Sequence, residues 1–232
     1  MNLTDIDAVI LDLDGTLVDT LDDFCAALNG TLADLPAPYA THRVDRATVA
    51  ELVGKGSEHL IKNVLTLADL AAGSAHGAVS VEAPTSLQAQ AWQHYQRHYR
   101  ALNGQHATVF PGVLTGLEQL KARGLKLACL TNKPHEFAVL LLKAKRLDGF
   151  FEHTFGGDSF AFKKPHPLPL LRTCEALGSQ PARTLMVGDS SNDAQAARAA
   201  GCPVLLVTYG YNHGQPIEGV DADGLTDTLA CF

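Results

Sequence analysis

Short apolar runs recur along the chain, and between them the apolar residues change to three- and four-residue spacing. The runs are AVIL at 8–11, LKLACL at 125–130, HTF at 153–155, TLMVGD at 184–189 and PVLLV at 203–207. Near-continuous apolarity over four to six residues is what strands buried on both faces of a parallel sheet require. The segments starting at 112 (GVLTGLEQLKARG), 134 (PHEFAVLLLKAKRL), 167 (PLPLLRTCEALG) and 191 (SNDAQAARAAG) carry helical spacing, and three of them end on glycine. Strands alternating with helices predict a doubly wound α/β fold with a parallel sheet.

The alternation breaks once. From 19 to 105 the spacing is helical with no convincing strand, around the turn-rich segment AAGSAHGAVSVEAPTS at 71–86. The expected organisation is therefore a core of residues 1–18 and 106–232 with a helical domain, 19–105, inserted in it. The last helix of the insertion, LQAQAWQHYQRHYRALNG, reads as a solvated face without chemistry.

At 232 residues the chain is long enough for two lobes. A net charge of -7, with no basic run longer than Lys163-Lys164 or Lys145-Arg146, argues against nucleic-acid binding. An anionic substrate would need local positive charge. Five scattered cysteines form no Cys-x-x-Cys pair, which indicates neither a disulfide framework nor a zinc site. They read as small core residues in a cytoplasmic protein, without a leader or a membrane span, that exists as a monomer or homodimer.

Ligands of open α/β sheets bind beyond the carboxyl ends of the strands. Asp12 and Asp14 follow the first strand, Thr131 and Asn132 the second, and Asp189 the fourth, with Lys164 in the loop after HTF. Singly, each has an ordinary reading as a cap, a turn or a solvated loop residue. Gathered at one edge, Asp12, Asp14 and Asp189 would repel strongly unless a cation lay among them, and magnesium suits hard oxygen donors.

In order along the chain, DLDGT, LTN, KKPHP and GDSSND resemble the four motifs of the haloacid-dehalogenase superfamily, and the helical insertion falls where that family carries its cap. More narrowly, VGKGSEHLI, LTNKPHEFA and GGDSFAFKKPHPLPLL resemble phosphoglycolate phosphatases. The resemblance implies a Rossmann-like core under a helical cap, a small phosphorylated metabolite as substrate, and magnesium-dependent hydrolysis through an aspartyl-phosphate.

It also implies residue roles. Asp12 would be the nucleophile, Asp14 the acid and base, and Lys164 the counter-charge. Asp12, the Asp14 carbonyl and Asp189 would hold magnesium, with Asp193 completing the site. Thr131, Asn132 and the turn at Gly15 would present donors to the phosphoryl group. In the cap, Lys55 and Gly56 of VGKGSEHL would read the carboxylate of 2-phosphoglycolate.

Other small sugar or organic phosphates remain alternative substrates. Asp14 counts against dehalogenation and against phosphonate cleavage. A non-catalytic phospho-receiver would need neither an acid at Asp14 nor a cap.

Overall fold

The computed structural model describes residues 4–73 and 86–232. Six strands form one sheet, β1 (Ala8–Leu11), β4 (Lys126–Leu130), β5 (His153–Phe155), β6 (Thr184–Gly188), β7 (Val204–Val207) and β8 (Gly224–Thr226). Their order is β5-β4-β1-β6-β7-β8, and every pairing is parallel. All carboxyl ends therefore lie on one edge. The five apolar runs are all strands, and β8 is one that the sequence pattern did not mark.

Side chains alternate across the sheet. Val9, Leu11, Leu127, Cys129, Leu185 and Val187 face α5 (Val113–Ala122) and α6 (His135–Ala144). Ala8, Ile10, Ala128, Leu130, Met186 and Leu206 face α7 (Leu168–Leu177) and α8 (Ser191–Ala200). With both faces covered, the sheet is buried throughout its centre, as the doubly wound reading requires.

The chain leaves the core through β2 (Val18–Asp19) and returns through β3 (Thr108–Val109), which pair antiparallel with each other. Between them lie α1 (Leu21–Ala33), α2 (Arg46–Leu52), α3 (Ser57–Ala71) and α4 (Ser86–Leu102). The two legs are clasped by Asp23, fully buried, whose carboxylate accepts the amides of Gly104 at 2.6 Å and His106 at 2.7 Å.

These helices bury their own apolar cluster, including Phe24, Leu28, Leu60, Val64, Tyr95 and Tyr99, and Phe137 of α6 joins it from the core. Within α4, Tyr95 and Tyr99 stand four residues apart on the buried face, so this helix is amphipathic, a buried aromatic face accompanying the solvated one. Most of the turn-rich segment read between the helices, residues 74–85, lies outside the described residues. No helix among the described residues is long and apolar enough to cross a membrane.

Cys129, Cys174 and Cys202 are buried as expected, but Cys231 is exposed near the chain end.

Candidate active site

The carboxyl edge of the sheet forms the floor of a pocket lined by Asp12, Asp14, Thr131, Asn132, Lys164, Asp189 and Asp193, which the sequence had singled out. Asp12 follows β1 directly. One carboxylate oxygen, Oδ1, lies 2.9 Å from Lys164 Nζ, yet without hydrogen-bond geometry, and it has no other partner although buried. Burial pushes the Asp12 carboxyl up to about 7, and neighbouring Asp193 and Asp14 act in the same direction while Lys164 opposes them.

Asp189 follows β6. It accepts the Tyr211 amide at 2.8 Å and faces the Thr16 hydroxyl at 3.4 Å. Burial, then Asp193 and Asp12, raise its pKa well above the usual carboxylate range.

The approach to Asp189 is close enough to dictate glycine. A Cβ on Gly15, whose φ is +87°, would stand 2.2 Å from Asp189 Oδ2. Gly188 is required for packing: a Cβ there would meet Asp193 Cγ at 2.4 Å.

Asp193 sits in the first turn of α8 and closes a capping box, accepting the Ser190 hydroxyl at 2.7 Å and its amide at 3.2 Å. Its other oxygen accepts Lys164 Nζ at 2.6 Å. That ammonium also donates to the Leu130 carbonyl at 2.8 Å. Burial disfavours the Lys164 charge, but Asp12 and Asp193 outweigh it and raise its pKa.

The backbone at Lys164 is fixed by Asn132, whose side chain accepts its amide at 2.9 Å and donates to its carbonyl at 2.8 Å. Asn132 is thus a brace between two loops as well as part of the lining. Thr131 Oγ1 accepts the Lys133 amide at 3.2 Å.

Asp14 has a different partner. Its carboxylate takes Lys133 Nζ at 2.9 and 3.2 Å, and Lys133 also donates to the Tyr99 hydroxyl at 2.5 Å. The two aspartates that stand two residues apart in DLDGT therefore pair with different lysines, Asp12 with Lys164 and Asp14 with Lys133.

Lys133 escaped the sequence reading, although it directly follows Thr131-Asn132 at a strand end. Tyr211, Asn212 and His213 in the loop after β7 escaped it too, although the same strand-end rule pointed there.

The side of the pocket supplied by the insertion contains Phe24, Val53, Gly54, Gly56, Ser57 and Leu60. Core side chains grip this loop. Asn132 and Asn192 both donate to the Gly54 carbonyl, at 3.0 and 3.2 Å, and His213 Nδ1 donates to the Val53 carbonyl at 2.7 Å. Asn192 Nδ2 lies 3.1 Å from His213 Nε2, so the neutral Nδ1–H tautomer satisfies both contacts. Burial lowers the His213 pKa, which favours that neutral form.

Gly56 lines the pocket as expected, with φ +94°. Lys55, between the lining residues Gly54 and Gly56, is exposed and is not itself part of the lining.

Asp12, Asp189 and Asp193 each place a carboxylate oxygen within 4.8 Å of the others. Among the described lining residues, four carboxylates face only two ammonium groups. An all-oxygen donor set, a buried Asp12 oxygen that accepts no hydrogen bond and this deficit of positive charge fit a hard divalent cation. The Asp14 side chain, engaged by Lys133, is not in that cluster. The arrangement can place a carboxylate nucleophile beside a cation site, with a second carboxylate nearby to exchange protons.

Comparison with known proteins agrees with this geometry. The family model of a haloacid dehalogenase-like hydrolase matches residues 6–201. A phosphoglycolate phosphatase of Thiobacillus denitrificans is 43% identical over 225 residues, spanning 97% of this chain and 93% of its own. One from Nitrosospira multiformis is 41% identical over 224 residues, covering 97% and 92%. A crystal structure described as a predicted phosphoglycolate phosphatase from Haemophilus somnus superposes with a TM-score of 0.88 at 32% identity, covering 99% of this chain and 97% of that one.

Proposed function

The chain belongs to the haloacid dehalogenase-like hydrolases, and from that premise we propose that it hydrolyses 2-phosphoglycolate to glycolate and phosphate with magnesium, through a phosphorylated aspartate. The observation that carries this reading is the convergence of Asp12, Asp189, Asp193 and Lys164 in one pocket at the sheet edge. The substrate class is supported by the phosphoglycolate phosphatases to which the chain is similar over nearly its whole length.

Asp12 attacks the phosphorus atom and the ester oxygen leaves, so the difficult displacement is divided in two. Asp14 gives its proton to the departing glycolate oxygen. In the second half it takes a proton from the water that attacks the phospho-aspartate, which returns Asp12 to a carboxylate and releases phosphate. Lys164 stays protonated between Asp12 and Asp193 and offsets charge on the phosphoryl oxygens. Thr131, the Asn132 amide and the amides of the turn at Gly15 donate to the same oxygens.

Asp12, Asp189 and Asp193, with the Asp14 backbone carbonyl, would hold magnesium, whose chemistry there is to screen the nucleophile from the incoming dianion. We read residues 19–105 as a cap domain over a core of 1–18 and 106–232, its role being to exclude water around the leaving group.

Phosphate release from 2-phosphoglycolate tests the reading. It is expected with magnesium, to stop in excess chelator, and to return on adding magnesium but not calcium, whose larger coordination sphere suits a bidentate Asp12. Full turnover in chelator would remove the metal from the proposal. Cleavage of a sugar phosphate from an ester panel in preference to 2-phosphoglycolate would change the substrate.

A further inference from the structure

An anionic leaving group needs a cation at the end of the pocket where the ester oxygen departs. Of the two lysines in the lining, Lys164 is spent on Asp12, Asp193 and the Leu130 carbonyl, against the acid cluster. Lys133, also in the lining, pairs instead with Asp14. The insertion's contribution to the lining, from Phe24 to Leu60, carries no charged side chain, and Lys55 lies outside it.

Lys133 is held unusually deep for a lysine. Its side chain is 1% exposed, and its ammonium sits over the ring of Phe24 at 4.5 Å and of Tyr99 at 4.8 Å. Burying an ammonium costs several kcal/mol unless partners compensate. Asp14, the Tyr99 hydroxyl and two aromatic faces do so here, the last in the manner of a cation–π contact. The aromatic faces come from α1 and α4, so this one ammonium is gripped by core and insertion together. An ammonium is a compact charge with three donors that reorient easily, and two carboxylates can share it more readily than a planar guanidinium.

The proposed reaction makes Asp14 the group that meets the ester oxygen. In 2-phosphoglycolate the carboxylate is attached only two bonds from that oxygen, so a cation touching Asp14 is within its reach. We propose that Lys133 is the specificity-determining residue, binding the carboxylate of the leaving group while still holding Asp14, so that phosphate esters of small 2-hydroxy acids are preferred to neutral esters of equal size. This rests on the phosphatase reading above.

The experiment compares kcat/KM for 2-phosphoglycolate and for 2-hydroxyethyl phosphate, whose leaving group is similar in size but uncharged. It also measures inhibition by glycolate. Wild type is expected to prefer the anionic ester. Lys133→Gln should reduce that preference by about 10- to 100-fold, the range for a lost charge-assisted hydrogen bond, and weaken glycolate inhibition in parallel. Lys133→Met fills the aromatic slot without a charge and serves as the second variant should the glutamine protein not melt cooperatively; the same loss of preference is expected.

Equal losses on both esters with unchanged glycolate inhibition would overturn the proposal and leave Lys133 acting only through Asp14. Loss of preference in Lys55→Ala, with preference retained in Lys133→Gln, would also overturn it. A wild type that cleaves both esters alike refutes the role of Lys133 while leaving a phosphatase; one that cleaves no ester refutes the functional reading itself.

Discussion

The floor of the pocket and its roof solve different problems. At the ends of β1, β4 and β6, and in the loop after β5, buried carboxylates and ammonium groups lie at 2.6 to 3.2 Å from one another. The roof, from Phe24, Val53, Gly54, Gly56, Ser57 and Leu60, offers apolar side chains, backbone and one hydroxyl. Charge must be fixed in advance to act on a transition state, so it belongs on rigid strand ends. A surface that only has to fit and cover a leaving group can be built from a loop. Damage to the floor should therefore appear in turnover, and damage to the roof in fit.

The largest expected effect is on the floor. Asp12→Asn should lower kcat by about 10⁴-fold or more, since the amide is a poor nucleophile, and should abolish labelling by radioactive phosphate. Because burial already opposes the Asp12 charge, thermal melting of this variant is expected at or above the wild-type temperature. An active variant, or a strongly destabilised one, would break the assignment of Asp12 to chemistry.

Asp14→Asn comes next. Loss of the acid and base should slow an alkyl ester about 10²- to 10⁴-fold. With a good aryl leaving group, rapid-quench measurement should show a burst of phospho-enzyme followed by slow hydrolysis. Wild-type rates on the alkyl ester would contradict the division of labour between the two aspartates.

For the roof, His213→Gly keeps a residue that tolerates the left-handed backbone at φ 54° but removes the imidazole that donates to the Val53 carbonyl. Losing that one hydrogen bond, about 1 kcal/mol, predicts roughly a fivefold fall in kcat/KM. The fall should appear mainly in KM. A fall confined to kcat would blur the distinction between floor and roof.

Furthest from the pocket, Asp34 after α1 binds His98 and Arg97 of α4, each at 2.5 Å. Its hydrogen bond to His98, helped by the charge of Arg97, holds its carboxyl below the usual range. The sign follows: the stabilisation is fully present above the ordinary carboxylate pKa of about 4 and is lost as pH falls through the lower folded value. The site is about a third exposed, so Asp34→Asn should cost no more than about 1 kcal/mol in urea unfolding at pH 7. Turnover should not change, and the difference between variant and wild type should vanish in acid.

The comparison also explains what could be read from the sequence. Strands buried on both faces leave apolar runs, and the acidic floor follows those runs directly, so Asp12, Asp189 and Lys164 were legible from position and from the four motifs. β2 and β3 were not, because two residues carry no period. Lys133 was hidden by its type: a lysine after a turn reads as solvated, and only the packing of Phe24 and Tyr99 above it makes it buried. The α4 tyrosines were obscured by the polar residues between them. Lys55 differs in the opposite way. Its flanking glycines mark a close approach, which the loop does make at Gly54 and Gly56, but the lysine between them is exposed and not among the lining residues.

The clasp at Asp23 has a consequence on an evolutionary scale. Because one carboxylate ties the departing chain to Gly104 and His106 on the returning one, the ends of the long excursion are pinned independently of what lies between them. Closing such a loop costs entropy that rises only logarithmically with its length, about 0.6 kcal/mol for each doubling. Descendants of this chain can lengthen, trim or rewrite the sequence over the pocket at little thermodynamic cost, trying new leaving groups while the strands that do the chemistry stay as they are.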